Sequence, residues 1–572
     1  MNYKNEYEKW LNSEIVDEET KKELRGIAGN EKEIEERFYR NLEFGTGGLR
    51  GVMESGTNRM NKYIVRKATQ GLSNFIHEQN LADKGVVISY DSRNNSELFA
   101  RETACVFAAN GIKVHLSDAL RPVPMLSFGV RHFGAAVGVM VTASHNPAKY
   151  NGYKVYGEDG GQAALFLASK VLEQIESIDI FDDVKTADFD EMVKSGMITL
   201  FGDEFDEAFL AEVLKQRINP DLIEKVADDF KLIYTPLHGS GNMPVRKMLK
   251  KCGYKNILLV EEQLIPDGNF PTVQSPNPEN KEAFTLAIEL AKKNDVDFIV
   301  GTDPDCDRCG IVVRNLEGEY IALTGNMVGA LLTEYILSQR KNNGNLPKDG
   351  VVVKTIVTTR MADVITKSFG VEVMNTLTGF KFIGEKIHEF EEKGDHTYLF
   401  GFEESYGYLS GTYARDKDGV LATMLICEMA AYYRLQGKSL YEALLDLYAT
   451  YGTFREGLKS ITLEGMDGVE KIKGIMADIR ANLPTSLGGK KILYTSDIKT
   501  STRTSADGKT EKIDLPVSDV LLFEMEDDCW CAARPSGTEP KMKFYFGVKA
   551  DSVEEAESIL KEMDNDVSKY LD

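Results

Sequence analysis

The feature that most constrains this fold is a recurrent pattern of apolar runs that end abruptly in small, polar or charged residues. A continuous apolar run is typical of a buried parallel strand, and alternation of such strands with helices predicts an α/β fold. In open α/β sheets, ligands bind beyond the carboxyl ends of the strands, which is where the polar residues fall. Helical stretches such as 97–111 and 281–294 separate the runs. The runs are GVVISYDSR (85–93), VGVMVTASHNP (137–147), KLIYTPLHGSG (231–241), DFIVGTDPDCDR (297–308) and VVVKTIVTT (351–359).

The length of the chain predicts several domains. Its 572 residues suffice for about four domains of ordinary size. Near the C-terminus, a strand-like run at 520–525 precedes CAARPSGTEPKMKF, and a helix with a Ser552–Glu555 capping box follows. We predict a small α+β domain here. Its segment 484–516 has the composition of an exposed loop.

The charge balance excludes some classes of partner. The chain has 90 acidic and 68 basic side chains, which gives a net charge of −22. Such a surface repels nucleic acid and anionic membranes, so we expect neither as a partner. A phosphate site in this chain therefore needs a local concentration of Arg, Lys and backbone N–H groups. Residues 1–26 predict a charged amphipathic helix rather than a signal peptide, and no run has the apolar length of a membrane span.

The seven cysteines are scattered along the chain. An odd number without a framework of spacings predicts reduced thiols, which indicates a cytoplasmic protein. Cys306 and Cys309 form one close pair, and Cys529 and Cys531 form another. These four residues are of the type that binds zinc, but their neighbours suit other roles better, so we interpret them as buried thiols.

A candidate nucleophile, Ser144, follows the predicted strand in the segment Thr-Ala-Ser-His-Asn-Pro. Phosphoryl transfer through a side chain needs a presented hydroxyl, cationic neighbours and a proton acceptor. His145, Lys149 and Lys154 supply the last two close by in sequence. The alternative is an ordinary serine in a β-turn, and this segment alone would favour that alternative.

A candidate metal site is the segment DPDCDR at the end of another predicted strand. Asp303, Asp305 and Asp307 alternate, and side chains two apart in an extended segment share one face. Three clustered carboxylates are costly unless a cation neutralises them, and oxygen ligands suit Mg²⁺. The segment lacks the Gly and Glu of an EF-hand loop. A solvated acidic turn is the alternative, which the apolar flanking sequence disfavours.

Further polar segments are individually weak signals. RPSGTEPK (534–541) offers a guanidinium, two hydroxyls and loop N–H groups that suit a phosphate. In GFEESYGY (401–408), Glu403 and Ser405 at period two suit vicinal sugar hydroxyls, or a strand end in solvent. TGFK (378–381), RDKDG (415–419) and FGTGGLRG (44–51) complete the set, and the last matches neither a P-loop nor a dinucleotide fingerprint.

Taken in this order, the segments resemble those of the α-D-phosphohexomutase superfamily. The likeness is greatest to its phosphoglucomutase/phosphomannomutase branch, which also contains phosphopentomutase-like members, and it extends from about residue 44 to about residue 544. The resemblance implies an α/β protein that is heart-shaped around a central cleft. It has three αβα mixed-sheet domains of shared topology and a C-terminal α+β domain. The implied bounds are 1–208, 209–325, 326–452 and 453–572.

The resemblance also implies roles for the candidate residues. Ser144 becomes the phosphoserine, and a metal is held by Asp303, Asp305 and Asp307 with a phosphate oxygen on Ser144. Proton transfer or phosphate contact falls to His145, Lys154, Lys417 and Arg50, among which the sequence does not single out the general base. Substrate is bound by Arg308, Thr378, Gly379, Lys381, Glu403, Ser405, Arg534, Ser536, Gly537 and Thr538.

The implied activity is the interconversion of glucose 1-phosphate and glucose 6-phosphate through phosphoserine and a bound glucose 1,6-bisphosphate. One Mg²⁺ per subunit is the implied cofactor, and the partners are sugar phosphates acting on a monomer or weak homodimer. The GFEES form, where some relatives have GEMS, favours glucose. Alternatives are a mannose, glucosamine or pentose phosphate, a hexose bisphosphate synthase, an aspartyl phosphatase and a non-catalytic sugar-phosphate sensor.

Overall fold

The computed structural model describes residues 2–45, 48–163, 165–463, 466–535 and 541–570. These residues form two compact units. The first unit comprises Met1–Leu323, Gly384–Glu392 and Gly407–Arg434, and the second comprises Thr324–Ile383, Lys393–Tyr406 and Leu435–Asp572. Among the described residues, no helix combines the length and apolarity that crossing a bilayer requires.

Three short helices begin the first unit: α1 (Tyr3–Asn12), α2 (Glu18–Gly26) and α3 (Glu31–Phe38). The single helix that we predicted over residues 1–26 is therefore wrong. Asp17 begins a new helix because its side chain accepts a hydrogen bond from Thr20 N at 2.9 Å, which caps α2. The buried indole of Trp10 packs edge-on against Phe38 and Tyr63 and holds the helices together.

The first sheet is mixed and has the strand order β1-β5-β4-β2-β3-β6. Strand β2 is parallel to β3 and β4, whereas β5 is antiparallel to β4 and β1. All residues of β2 and β4 are buried, as their apolar runs predict. The strands are β1 (Gly48–Val52), β2 (Val86–Tyr90), β3 (Val114–Ser117), β4 (Val137–Val141), β5 (Tyr150–Tyr156) and β6 (Ile198–Phe201). The helices are α4 (Lys62–Glu78), α5 (Ser96–Ala109), α6 (Val123–Phe133), α7 (Leu165–Glu176), α8 (Phe189–Ser195) and α9 (Asp203–Leu214).

The second sheet, also in the first unit, has the order β11-β10-β9-β7-β8. Strands β8, β7 and β9 are parallel, and β10 is antiparallel to β9 and β11. The predicted helix at 281–294 begins as the 3₁₀ turn Lys281–Phe284 before α11. The strands are β7 (Lys231–Thr235), β8 (Asn256–Leu259), β9 (Phe298–Thr302), β10 (Cys309–Arg314) and β11 (Tyr320–Leu323). The helices are α10 (Asn242–Cys252) and α11 (Thr285–Asn294).

The second unit contains a parallel sheet in which β12 lies between β13 and β14. Its strands are β12 (Gly350–Thr355), β13 (Glu372–Thr376) and β14 (Thr397–Glu403). The helices in this part of the chain are α12 (Gly325–Asn342), α13 (Met361–Phe369) and α14 (Phe380–Lys393). Next along the chain come β15 (Gly407–Leu409) and α15 (Gly419–Leu435), whose residues up to Arg434 belong to the first unit.

An antiparallel sheet completes the second unit and confirms the predicted C-terminal α+β domain. Its order is β16-β23-β22-β21-β18-β19-β20, and β17 pairs with β18. Its strands are β16 (Thr453–Thr462), β17 (Ser486–Leu487), β18 (Lys490–Asp497), β19 (Thr502–Ser505), β20 (Thr510–Lys512), β21 (Leu521–Met525), β22 (Trp530–Pro535) and β23 (Lys541–Ala550). The helices are α16 (Leu440–Tyr451), α17 (Met466–Ala481) and α18 (Val553–Ser568).

Two local predictions in this sheet need correction. The segment 484–516 is not a loop, since it contains β17, β18, β19 and β20, although every residue of β20 is exposed as expected. At the start of α18, Glu555 N donates to Ser552 Oγ at 3.1 Å. The Glu555 carboxylate accepts from Asp551 N at 3.1 Å, one residue before the position that a capping box requires.

Candidate active site

The loop between β4 and β5 presents the candidate nucleophile. Ser144 is buried and has φ 53°, in the left-handed region that residues with a side chain seldom adopt. Its backbone N–H donates to Thr142 Oγ1 at 2.8 Å, which fixes the turn. Its hydroxyl donates to Asp303 Oδ2 at 3.1 Å and lies 3.1 Å from His145 Nδ1. The serine is thus directed at the acidic loop that follows β9.

The acidic loop joins β9 to β10 and gathers the three predicted carboxylates. Asp303, Asp305 and Asp307 are all buried, and one oxygen of each lies within 4.8 Å of the others. The loop is a turn rather than an extended segment: Cys306 has φ 49°, and its N–H donates to Asp303 O at 2.9 Å. The predicted convergence is confirmed, but alternation along a strand is the wrong cause.

The hydrogen bonds of the acidic loop leave two oxygen atoms open. Asp303 Oδ1 accepts from Asp307 N at 3.2 Å and from Arg308 N at 3.0 Å. Among the residues that the structure describes, Asp305 Oδ1 and Asp307 Oδ1 are buried and have no hydrogen-bond partner. Burying charged oxygens without a partner is costly, and oxygen ligands in this number suit a hard divalent cation. The donor set therefore fits a metal ion.

Two lysines bring positive charge to the same carboxylates. Lys154, on β5, places Nζ 2.9 Å from Asp305 Oδ2 and 3.4 Å from Asp307 Oδ2. Lys417, just before α15, places Nζ 3.1 Å from Asp307 Oδ2. Residues far apart in sequence thus meet at one carboxylate oxygen.

These contacts shift the protonation equilibria of the site in opposite directions. Burial, with the neighbouring charges of Asp305 and Asp307, raises the pKa of Asp303 well above its usual value. Burial alone would also raise the pKa of Asp307, but Lys417, Lys154 and Arg308 hold it below the ordinary range. For Lys154, burial would lower the pKa, and the two carboxylates beside it outweigh this and raise it. The lysine is consequently cationic at neutral pH.

His145 lies beside Ser144, and the charges of Arg308 and Arg50 act on its imidazole. Burial, followed by the charges of Arg308 and Arg50, lowers the pKa of His145 well below its usual value, so the imidazole is neutral at neutral pH. Arg308 forms a close ion pair with Glu279. Arg50, on β1, donates from Nη1 to Asn146 Oδ1 at 3.4 Å.

The start of α15 is fixed to the acidic loop. Gly419 N donates to Cys306 O at 3.0 Å. Asp418 caps the helix, because its carboxylate accepts from Val420 N at 2.7 Å and from Leu421 N at 3.0 Å, and it also accepts from Tyr413 Oη at 2.5 Å. This anchoring determines where Lys417 projects.

The remaining predicted residues belong to the second unit. Glu403 ends β14 and is buried, whereas Ser405 lies in the following turn. The two are therefore not successive residues on one face of a strand, as we had predicted from their period. Thr378, Gly379 and Lys381 flank the start of α14, and Arg534 lies in β22. Ser536, Gly537 and Thr538 lie outside the described residues.

Several residues of the site were not predicted. Arg93 and Asp91 follow β2 and contact the serine loop. The sequence signal that could have identified them is the charged run DSR at the end of an apolar segment. Glu279 was missed because nothing local marks it as the partner of Arg308. Asp416 was visible beside Lys417, but the hydrogen bond that it accepts from Tyr156 Oη at 2.8 Å depends on distant residues.

Three family models match the chain. They are described as phosphoglucomutase/phosphomannomutase alpha/beta/alpha domains I, II and III, and they match residues 41–180, 207–318 and 324–451. A phosphoglucomutase from Staphylococcus saprophyticus subsp. saprophyticus is 37% identical over 527 residues, which are 92% of this chain and 94% of that protein. The similarity thus extends over nearly the full length of both.

Two solved structures are similar in fold. The exocytosis-sensitive phosphoprotein pp63/parafusin, a phosphoglucomutase from Paramecium in an open form, has a TM-score of 0.69 at 18% identity, over 93% of this chain and 94% of that one. A candidate phosphomannomutase from Thermus thermophilus has a TM-score of 0.68 at 24% identity, over 92% of this chain and 99% of that one. At these identities, the likeness concerns the fold.

The buried cap of α15 predicts a pH-dependent stability. Burial raises the pKa of Asp418 from 3.8 to about 6. The folded protein therefore keeps a proton that the unfolded chain has lost, so stability falls as pH rises from about 4 to about 6 and is constant above that. Relative to Asp418→Asn, we expect the wild type to lose about 3 kcal/mol of unfolding free energy across this window.

Chemical denaturation at intervals across the window measures this difference. Asp188→Asn is the control, since Asp188 caps α8 at an exposed position. A difference between wild type and Asp418→Asn that stays constant with pH would contradict the prediction.

Proposed function

We propose, from the premise that the chain belongs to the phosphoglucomutase/phosphomannomutase family, that it interconverts glucose 1-phosphate and glucose 6-phosphate. The enzyme is an intramolecular phosphotransferase in which Ser144 carries the phosphoryl group. The observation that carries this proposal is the position of Ser144 Oγ, 3.1 Å from a carboxylate of a buried acidic cluster that two lysines also contact.

The reaction consists of two phosphoryl transfers. Phosphorylated Ser144 gives its phosphoryl group to the 6-hydroxyl of glucose 1-phosphate: the bond from phosphorus to Oγ breaks, a bond to the sugar oxygen forms, and the hydroxyl proton leaves to a basic group of the site. Glucose 1,6-bisphosphate results and stays bound. In the second transfer, the bond from phosphorus to O1 of the sugar breaks and a bond to Ser144 Oγ forms. The proton passes from the basic group to O1, and glucose 6-phosphate is released. Added bisphosphate serves as activator by phosphorylating Ser144.

The residues around Ser144 have separate roles in this scheme. Lys154, Lys417 and Arg308 supply fixed positive charge close to the transferring group, where preorganised charge is most effective. His145 and Arg50 complete the set that contacts the phosphoryl group or transfers protons. Because the site is buried, water is largely kept from the phosphoserine, which limits its hydrolysis.

The acidic loop holds one Mg²⁺ in this proposal. Asp303, Asp305 and Asp307 provide carboxylate oxygens, two of them without another partner among the described residues, and a phosphate oxygen on Ser144 completes the ligands. When bound, Mg²⁺ neutralises charge on the phosphoryl oxygens and makes phosphorus more electrophilic.

Residues of the second unit bind the sugar and its unreactive phosphate. Glu403 and Ser405 hydrogen-bond sugar hydroxyls, and Thr378, Gly379 and Lys381 contribute to the same function. The phosphate that is not transferred is held by Arg534, Ser536, Gly537 and Thr538. Whichever end of the sugar reacts, these groups bind the other end.

We place the enzyme in the cytoplasm as a monomer or weak homodimer whose partners are sugar phosphates rather than nucleic acid or membranes. The four domains are proposed at 1–208, 209–325, 326–452 and 453–572. Phosphomannomutase, phosphopentomutase and hexose bisphosphate synthase are the alternatives that use the same site residues.

Replacement of the nucleophile tests the covalent scheme. Ser144→Ala removes the only proposed carrier of the phosphoryl group, so we expect a fall in kcat of at least about 1,000-fold. Intact-mass analysis after incubation with glucose 1,6-bisphosphate should show one added phosphoryl group on the wild type and none on the variant. Ser89→Ala, in β2, is the matched buried control and should be phosphorylated like the wild type. Full activity of Ser144→Ala would instead favour an aspartyl nucleophile.

Neutralising one carboxylate of the acidic loop tests the metal site. Asp305→Asn removes charge from a proposed ligand, so the Mg²⁺ concentration for half-maximal activity should rise by at least about tenfold, the scale of even indirect changes to metal sites. Isothermal titration with Mg²⁺ measures the affinity without substrate. Asp297→Asn is the control because Asp297 precedes β9 at its other end and pairs with Arg434. Unchanged Mg²⁺ affinity in Asp305→Asn would remove this residue from the metal site.

A comparison of substrates tests the identity of the sugar. We expect kcat/KM for glucose 1-phosphate to exceed those for mannose 1-phosphate and ribose 1-phosphate by at least about tenfold. A site that hydrogen-bonds particular hydroxyls discriminates against a sugar that directs one of them differently, as mannose does at C2, or that lacks one, as ribose does. All three are measured with Mg²⁺ and glucose 1,6-bisphosphate present. A clear preference for the pentose would replace the glucose assignment by a phosphopentomutase.

A further inference from the structure

One buried arginine binds the loop that carries Ser144. The side chain of Arg93 has no exposed surface. Its Nε donates to Ser144 O at 3.2 Å, and Nη1 donates to Pro147 O and Tyr150 O, both at 3.1 Å. Nη2 makes close hydrogen bonds to Ser144 O and Asn146 O. All three nitrogen atoms of this guanidinium thus donate to backbone carbonyls of the serine loop.

The positive charge of Arg93 is compensated on its other side. Asp91 Oδ2 lies 3.4 Å from Arg93 Nε, and Asp91 Oδ1 accepts from Arg93 N at 3.0 Å. The same carboxylate accepts from Thr142 Oγ1 at 2.6 Å, and Thr142 Oγ1 accepts the hydrogen bond from Ser144 N. The guanidinium also lies 5.0 Å from the ring centre of Phe270. Both ends of the turn at Ser144 are therefore connected to the Asp91–Arg93 pair.

The conformation of Ser144 explains why the loop needs these hydrogen bonds from Arg93. A serine at φ 53° is strained by about 1 kcal/mol or more, and it stays in that conformation only if its surroundings outweigh the strain. The Ser144 carbonyl is held by two N–H groups of Arg93, which oppose relaxation of the peptide unit. The planar fork of arginine reaches several carbonyls at once, whereas a lysine ammonium has three donors on one atom.

We infer that Arg93 is a positioning residue that holds the serine loop so that Ser144 Oγ faces the acidic loop. Because its side chain is inaccessible, Arg93 acts through the loop rather than on substrate. The inference rests on the proposed function in so far as Ser144 is the phosphoryl carrier. Asp91 and Thr142 support the same arrangement.

A second buried arginine provides a matched comparison. Arg37 is also largely buried in the first unit, but its guanidinium pairs with the carboxylates of Glu23, Glu33 and Glu54. Arg37→Lys therefore reports the cost of altering a buried ion-pair network, and Arg93→Lys reports that cost together with any effect on the serine loop.

The experiment compares Arg93→Lys and Arg37→Lys in the full chain with Mg²⁺ and glucose 1,6-bisphosphate. For Arg93→Lys we expect kcat to fall by about 100-fold, as small misplacements of reacting groups do, with KM for glucose 1-phosphate within about threefold of wild type. For Arg37→Lys we expect thermal stability to fall while kcat stays within about twofold of wild type.

A second variant, Arg93→Ala, is tested by chemical rescue. Guanidinium at concentrations well below those that denature should raise kcat of Arg93→Ala, because the ion refills the site of the missing side chain, whereas tetramethylammonium should not. Hydrogen exchange adds a readout that does not need catalysis. In Arg93→Lys, amides of residues 142–150 should exchange faster than in wild type, while those of β2 and β4 stay protected.

The outcomes separate this inference from the proposed function. Suppose that the wild type takes up no phosphoryl group at Ser144, but amide hydrogen exchange of the serine loop still becomes faster in Arg93→Lys. The proposed function is then wrong, whereas the positioning role of Arg93 is supported. Two results would overturn the inference. One is a wild-type kcat in Arg93→Lys. The other is a loss of kcat in Arg93→Lys no greater than the loss that Arg37→Lys shows for the same decrease in stability. Failure of both Arg93 variants to fold with guanidinium present would also overturn it, since Arg93 would then be required by the fold as a whole.

Discussion

The candidate active site of the first unit is built around the charge of its buried acidic loop. Asp303, Asp305 and Asp307 lie together where solvent cannot screen them, and in the described part of the chain Lys154, Lys417 and Arg308 form ion pairs with this loop. Asp416 and Glu279 pair in turn with two of these cations. Among the described residues, the acidic loop and these ion pairs bring together five carboxyl groups and three cationic side chains, so carboxyl groups outnumber cations here. Burial, followed by the neighbouring Asp305 and Asp307, raises the pKa of Asp303, and a buried acidic cluster of this kind suits a divalent cation.

The acidic loop keeps its shape because backbone segments approach it more closely than side chains would allow. Ser240 donates to Pro304 O from both N and Oγ, each at 2.8 Å. A Cβ on Gly239 would lie 2.5 Å from Pro304 Cα and 2.8 Å from Pro304 O, both backbone atoms of the acidic loop, so this position requires glycine. The segment 231–241, which the sequence marked only as a strand with a polar end, therefore supports the turn from beneath. Functional carboxylates on a loop stay in place only if surrounding residues pack against the loop and hydrogen-bond to it.

Structural features that follow from a local sequence pattern with one physical cause were predicted correctly. Features that depend on contacts between residues distant in sequence were not. The buried strands β2, β4, β7, β9 and β12 were predictable because each is a continuous apolar run, and Ser144 and the three aspartates were predictable because they end such runs. The turn that gathers the aspartates was not, since a cysteine gives no sign of a left-handed φ. Arg93 was passed over because its partners are backbone carbonyls some fifty residues away, which no residue type reveals. The domain bounds stay predictions.

If Ser144 is the phosphoryl carrier, as proposed above, the same crowding of carboxyl groups limits when it can be phosphorylated. Phosphorylation adds about two further negative charges, and Ser144 Oγ is 3.1 Å from Asp303 Oδ2. Because carboxyl groups already crowd this site, the phosphoserine is disfavoured unless a cation neutralises the acidic loop. Lys154 and Lys417 alone do not neutralise the loop, because both already form ion pairs with Asp307. Under the proposed function, phosphorylation of the serine and cation binding at the acidic loop are therefore thermodynamically linked: each favours the other by the same free energy.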